Sequence, residues 1–187
     1  MKQDLKKWIE QDGIKFLKEI GVKKNQSLLD FGCGEGHYAI PASKIVGKSG
    51  KIYALDKDRN TLDTLKKLIK QDSIKNINLI NENSKIPLED NSVDAVLCYD
   101  IIHYVDKRER EAVYKEIYRV LRKEGLFSVY PKHHKEDTPL NELAEVGLED
   151  IIKEIKKSNF ILKYKLFKTL LHDEYYNKGY ILNFRKC

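Results

Sequence analysis

The sequence predicts an α/β fold: a seven-stranded, mostly parallel sheet with helices on both faces and a C-terminal antiparallel hairpin. Short apolar runs alternate with helix-period segments between residues 26 and 158, as strands joined by helical crossovers require. The first run, Ser27–Phe31, opens straight into a glycine cluster. Beyond residue 158 two extended segments are joined too closely for a parallel return, which needs about a dozen residues or more, so they pair antiparallel.

Leu5, Trp8, Ile9, Phe16, Leu17 and Ile20 recur at helical spacing and Gly21 stops the segment. Residues 1–25 are therefore expected to be a helical cap and 26–187 the core. The strand Ser27–Phe31 precedes the glycines. A helix over 38–46 tolerates Pro41 near its first turn, where the missing N–H has no intrahelical partner. Gly47 and Gly50 bracket a turn before a second strand over 51–55. The segment 60–71 places Leu62, Leu65, Leu68 and Ile69 on one helical face, and 77–80 is the third strand. A polar loop over 81–91 carries Pro87 and leads into the fourth strand, Val93–Tyr99. A helix is expected over 107–122, presenting Val113, Ile117, Val120 and Leu121 and ended by Gly125, with strand five over 126–130. A last helix covers 149–158. The extended pair is expected over 160–169 and 175–184, with 172–178 as a polar connection.

The 187 residues fit one domain, 1–187, with a core large enough to stand without disulfide or metal staples. A hydrophobic content of 41% beside 34% charged residues excludes a disordered chain. No apolar run approaches the roughly 20 residues that cross a bilayer. The charged opening Met1-Lys2-Gln3-Asp4 lacks the apolar stretch of a secretory leader, so a cytoplasmic protein is expected. Cys33, Cys98 and Cys187 are far apart and form no C-x-x-C pair, which indicates neither a zinc cluster nor a disulfide framework. Cys98, inside an apolar run, reads as a small buried hydrophobe. The net charge of +6 suits an acidic partner such as RNA. Lysines interleaved with acids, as in Lys153-Glu154-Ile155-Lys156-Lys157, are equally what a solvated helix face produces.

The loop Asp30-Phe31-Gly32-Cys33-Gly34-Glu35-Gly36 lies between a strand and a helix. Glycines there let the backbone turn sharply and let a ligand approach where a side chain would block it. Its Gly-x-Gly-x-Gly spacing differs from the Gly-x-Gly-x-x-Gly of nicotinamide binding, and no Lys-Ser/Thr pair marks a triphosphate loop. Asp56 ends the second strand about 20 residues on, where a carboxylate accepts hydrogen bonds from ribose hydroxyls.

The segment Leu28–Gly36 resembles motif I of the class I S-adenosylmethionine-dependent methyltransferases, and the resemblance continues in order to residue 130. Tyr53-Ala54-Leu55-Asp56 is similar to motif II. Ile86-Pro87-Leu88-Glu89-Asp90-Asn91-Ser92-Val93-Asp94-Ala95-Val96 resembles the family's loop into strand four. Ile102-His103-Tyr104-Val105 resembles the Leu-His-His-Val stretch of the small-molecule branch, quinone-biosynthesis methyltransferases included. Glu116-Ile117-Tyr118-Arg119-Val120-Leu121-Arg122-Lys123-Glu124-Gly125 resembles its Glu-Ile-x-Arg-Val-Leu-Lys-Pro-Gly-Gly element. The resemblance implies a Rossmann-like core that binds S-adenosyl-L-methionine and releases S-adenosyl-L-homocysteine. Gly32, Gly34 and Gly36 would line the methionine and ribose portion, and Asp30 would orient the amino group or the loop. Asp56 would hold the ribose, with Lys57 against the adenosine. The adenine contact falls on Asn83, followed by Ser84, when strand three is aligned, and on Glu82 when counted back from Pro87. Cys98 and Tyr99 would end strand four beside the methionine moiety.

Methyl transfer from a sulfonium is an in-line displacement in which the cofactor carries the reactive group. The protein aligns donor and acceptor, and adds a base where the acceptor must lose a proton. Asp100, His103 and Tyr104 follow strand four at the carboxyl edge, where open α/β sheets bind ligands. His103 is the candidate base; its alternative is a packing histidine of the motif. Tyr104 is the second catalytic candidate, and is read as walling the pocket rather than ionising. His37, next to the loop, is a ligand contact or a helix-start residue. His133 and His134 lack a carboxylate or cysteine at ligand spacing, so they read as solvated loop residues and no metal is expected. Tyr164, Phe167, Tyr175, Tyr176, Tyr180 and Phe184 read mostly as sheet packing. A small-molecule acceptor is expected, with RNA methylation or non-catalytic cofactor binding as alternatives. The N-terminal helix is short and 132–147 is the sizeable insertion, so a shallow site, or one completed in a homodimer, is expected.

Overall fold

The computed structural model describes residues 3–83, 85–137 and 146–187. Its centre is a seven-stranded sheet of order β3-β2-β1-β4-β5-β7-β6. The strands are β1 (Ser27–Phe31), β2 (Lys51–Asp56), β3 (Ile77–Asn81), β4 (Val93–Tyr99), β5 (Leu121–Tyr130), β6 (Phe160–His172) and β7 (Tyr175–Lys186). β1 to β5 pair in parallel, and β7 runs antiparallel to both β5 and β6. The strand order reverses between β1 and β4, which opens a crevice at their carboxyl ends.

Successive residues of a strand face opposite sides, so Leu28 and Leu29 enter different cores. Helices α1 (Gln3–Lys7), α2 (Gly13–Glu19), α3 (Ala39–Val46) and α4 (Arg59–Gln71) cover one face, packing Leu17, Ile40 and Leu65 against Leu28 and Ile52. Helices α5 (Lys107–Val120) and α6 (Leu148–Lys157) cover the other, packing Ile117 and Ile155 against Leu29, Val96 and Phe127. Two helix starts are fixed by side-chain caps. Asp58 accepts from the Asn60 N–H at 2.8 Å, and Asp106 forms a reciprocal capping box with Glu109.

The expected N-terminal helix is interrupted. Residues Trp8–Asp12 form one π-turn in which the Gly13 N–H reaches the Trp8 carbonyl. The indole explains it: a Cβ on Gly13 would sit 2.9 Å from the Trp8 ring. Trp8 is buried, and its Nε1 donates to the His37 carbonyl at 2.9 Å, which ties the cap to the glycine loop.

Two further expectations are corrected. The helix expected over 107–122 ends at Val120, and β5 begins at Leu121. Lys186 provides the reason, because its ammonium donates to the carbonyls of Tyr118 and Leu121, both at 2.7 Å, and caps the helix from the far end of the chain. Gly125 lies within the irregular start of β5, where the pairing shifts between Val93 and Ala95. The hairpin is also longer than expected. β6 and β7 pair up to His172 and Tyr175, so their connection is Asp173-Glu174 rather than 172–178.

Arg119 links two segments of the matched pattern. It donates to the carbonyls of Ile86 and Leu88 at 2.8 Å and pairs with Glu116, whose carboxylate accepts the Ile86 N–H at 3.0 Å. The loop into β4 is thereby clamped to α5.

Candidate functional site

The three loop glycines all stand at positive φ, each for a different reason. At Gly32 (φ +75) a Cβ would collide with the Ile101 side chain, and at Gly36 (φ +86) with Leu65. At Gly34 (φ +49) nothing lies within 4 Å, so that backbone faces open space. The Gly32 and Cys33 N–H groups donate to the Leu55 carbonyl at 2.8 and 3.0 Å, and the Gly34 N–H donates to Asp56 Oδ2 at 2.8 Å. These contacts predict a split between stability and binding. Gly36→Ala should lower thermal stability by about 1–3 kcal/mol through its clash. Gly34→Ala should cost about 1 kcal/mol of backbone strain while weakening cofactor binding far more; melting curves and calorimetry on the two variants separate these effects.

A cavity of about 590 Å³ opens above the loop, within the size range of small-molecule sites. Its lining includes Gly32, Asp56, Lys57, Glu82, Asn83, Ile101 and Tyr104. The β2 end is braced by Asn81, whose Nδ2 donates to the carbonyls of Asp56 and Lys57 at 3.1 Å. Asp56 Oδ1 also accepts the Asp58 N–H at 2.9 Å. Each carboxylate oxygen keeps acceptor capacity after one bond, so Asp56 can hold both the loop and a ribose diol. Glu82 and Asn83 both line the cavity, beside Asp56 and Lys57; Ser84 lies outside the described residues.

Asp30 sits beneath the loop, 2% exposed, with Oδ2 lacking a partner. Burial first, and the neighbouring Asp56 charge second, push its carboxyl up to about 7, against the hydrogen bond it accepts from the Ala39 N–H. Such an orphaned buried acceptor beside an anion suits a cationic ligand, and the cofactor carries both a sulfonium and an ammonium.

Other expected contacts are displaced. The side chain of Tyr99 is a correction: it is buried on the helix α1–α3 face, its hydroxyl is bonded to Ser128 Oγ at 2.8 Å, and its ring packs edge-on against Tyr38. It is absent from the cavity lining. The parity of β4 decides this, since Cys98 and Tyr99 face opposite cores. Tyr104 lines the cavity and is 60% exposed. His103 stacks on Tyr104 but turns away from the cavity, its side chain 3% exposed. Burial pushes its imidazole down to about 4, against the pull of Asp100.

The reading of His133 and His134 as solvated loop residues is overturned. His134 is buried with Nδ1 3.1 Å from Glu136, and Lys132 is buried in an ion pair with Asp137 at 2.6 Å. His133 turns inward to His172, and His172 in turn meets Asp100. The gathering of Asp100, His103, His133 and His172 at one sheet edge went unread. Its one local signal is the pair His172-Asp173 at a strand end.

A family model for a methyltransferase domain matches residues 28–125. The chain belongs to that family. Similar proteins include a demethylmenaquinone methyltransferase of Geobacillus sp., 32% identical over 120 residues, covering 64% of this chain and 49% of the relative. Another, of Lactococcus lactis, is 35% identical over 113 residues, covering 59% and 44%. The chain spans about half the length of these curated relatives. Among solved structures, a SAM-dependent methyltransferase from Aquifex aeolicus matches with a TM-score of 0.78 at 24% identity, over 95% of this chain and 91% of that one. The resemblance read from residues 28–130 is thus borne out as a class I methyltransferase fold. S-adenosylmethionine is the cofactor that family, loop and fold agree on. No helix among the described residues is long and apolar enough to cross a membrane.

Proposed function

We propose that this domain transfers the methyl group of S-adenosylmethionine to a small hydroxylated aromatic acceptor of the hydroquinone class. The observation that carries the donor half is Asp56 in the cavity wall, bonded to the Gly34 N–H with acceptor capacity left for a diol. The acceptor half rests on relatives named for methylating demethylmenaquinone.

Gly32 and Gly34 let the methionine and ribose part approach the backbone while Gly36 makes room for Leu65 behind the loop, Asp56 holds the ribose, Lys57 flanks the adenosine, and Glu82 or Asn83 meets the adenine. Asp30 provides negative charge under the loop. Transfer forms a bond between the methyl carbon and a nucleophilic ring carbon while the carbon–sulfur bond breaks, its electron pair staying on sulfur. The methylated ring carbon then loses its one proton, which restores the aromatic ring. The turn after β4 shapes the acceptor side, where Ile101 and Tyr104 wall the cavity, while His103 on the same turn faces away from it and takes no part in the transfer.

The test pairs calorimetry with product analysis. S-adenosylhomocysteine should bind the folded chain one to one, and a demethylated naphthohydroquinone incubated with methyl-labelled cofactor should gain the label. Absence of binding to well-folded protein overturns the donor half. Tight binding without label transfer to hydroquinones overturns the acceptor half.

A further inference from the structure

We infer that Asp100, His133 and His172 form a binding site for a divalent transition-metal ion at the carboxyl edge of the sheet, one turn of chain from the cofactor cavity. His172 Nε2 lies 3.0 Å from Asp100 Oδ2 and 3.1 Å from His133 Nε2, and one ligand atom from each residue falls within 4.8 Å of the others. Imidazole nitrogens and a carboxylate oxygen about 2.0–2.1 Å from a shared ion stand roughly 3.3 Å apart in a tetrahedron. The two distances from His172 Nε2 are thus nearly at that spacing, and the third pair lies within 4.8 Å.

Hydrogen bonding alone explains the cluster poorly. A single nitrogen, His172 Nε2, confronts two partners at once and can share at most one proton with them. Among the described residues, Asp100 Oδ1 and both ring nitrogens of His103 are buried without hydrogen-bond partners, although the Asp100 oxygen is 3.6 Å from His103 Nδ1. Native proteins rarely leave several polar atoms unsatisfied in one place, and a bound ion is among the causes where they do.

The surroundings are those that orient metal-binding imidazoles. The second nitrogen of His172 faces the Asp173 carboxylate at 3.3 Å, the arrangement that fixes a ligating ring and raises its basicity. The His133 backbone N–H is held by Asp137 at 2.9 Å, and that carboxylate is anchored by buried Lys132. Asp100, His133 and Asp173 all stand in left-handed backbone, at φ 60, 58 and 55. Such strain in non-glycine residues is retained where side-chain placement demands it.

Two histidines and one carboxylate suit zinc, iron(II) or a neighbouring first-row ion, and three protein ligands leave positions for water or an acceptor oxygen. The site stands independently of the acceptor proposed above. Asp100 and His103 face the cluster while Ile101 and Tyr104 face the cavity, so one short turn touches both.

The test uses the untagged full chain, stripped with a chelator and dialysed, and titrated with Zn²⁺ by calorimetry and with Co²⁺ by its visible absorption. One ion per chain should bind with a micromolar or lower dissociation constant, and Zn²⁺ should raise the melting temperature. His133→Ala and His172→Ala should each weaken binding at least about tenfold, whereas Cys187→Ser, at an exposed thiol, should change nothing. Circular dichroism checks that each variant is folded, and His172→Gln serves where alanine is not tolerated. Failure of the folded wild-type chain to bind either ion overturns the proposal without recourse to variants. So does binding that survives both histidine substitutions.

Discussion

Asp56→Ala is expected to weaken binding of S-adenosylhomocysteine by about a hundredfold or more. The substitution removes a carboxylate that lines the cavity and accepts the Gly34 N–H at 2.8 Å. Two charge-assisted hydrogen bonds to a ribose diol are together worth about 3 kcal/mol, which is over two decades in dissociation constant. Calorimetry on wild type and variant reads this directly, and a loss below tenfold would remove Asp56 from the binding role. The free protein should respond in a pH-dependent way. Asp30 titrates near 7 when folded against 3.8 as its ordinary value, so it binds a proton in the fold that the unfolded chain has released. Stability from this group therefore falls as pH rises from about 4 to 7. Removing Asp56 relieves the smaller of its two causes, the like charge, and does so only where Asp30 is ionised. The stability lost to Asp56→Ala should consequently be smaller at pH 8 than at pH 5, as denaturant titrations at the two pH values would show.

Arg110→Ala is expected to destabilise the chain by about 3–5 kcal/mol, the cost of breaking a buried ion pair from one side. Arg110 meets Glu154 through two parallel bonds of 2.8 and 2.9 Å, with side chains 7% and 10% exposed, and also donates to the Val105 carbonyl at 2.9 Å. Truncation strands the Glu154 carboxylate between α5 and α6. For a chain of this size the melting temperature should fall by about 10 °C. The double replacement Arg110→Met with Glu154→Leu should recover most of the loss, because no buried charge is left unpaired. A single variant within about 1 kcal/mol of wild type would show that water already reaches the pair.

The parallel half of the fold was legible because its signals are local. Periodicity over a dozen residues marks each helix, and the strand–glycine–helix order of 27–46 with Asp56 beyond it is read within one crossover. The misreadings concern long-range contacts. Nothing near Val120 announces the helix end, because the group that caps it is Lys186. The π-turn at Trp8 follows from an indole that must reach His37, on a different element. Tyr99 was placed by its position after Cys98, whereas strand parity sends the two side chains to opposite faces. His133 and His172 looked unrelated because their approach depends on β7 lying between β5 and β6, a pairing that no short window of sequence contains.

That interposed strand also orders events during synthesis. The five parallel strands and the glycine loop are complete by Tyr130, while β7, made after β6, is the strand that must enter between β5 and β6. Domains generally form as their chain emerges, and contacts between distant segments are the slow ones. The nucleoside pocket can therefore form on a nascent chain that still lacks β7, whereas the imidazole cluster and the Lys186 cap form only once β7 has emerged. Nascent chains arrested just short of that strand should retain the product on an affinity resin, yet resist proteolysis poorly beyond β5.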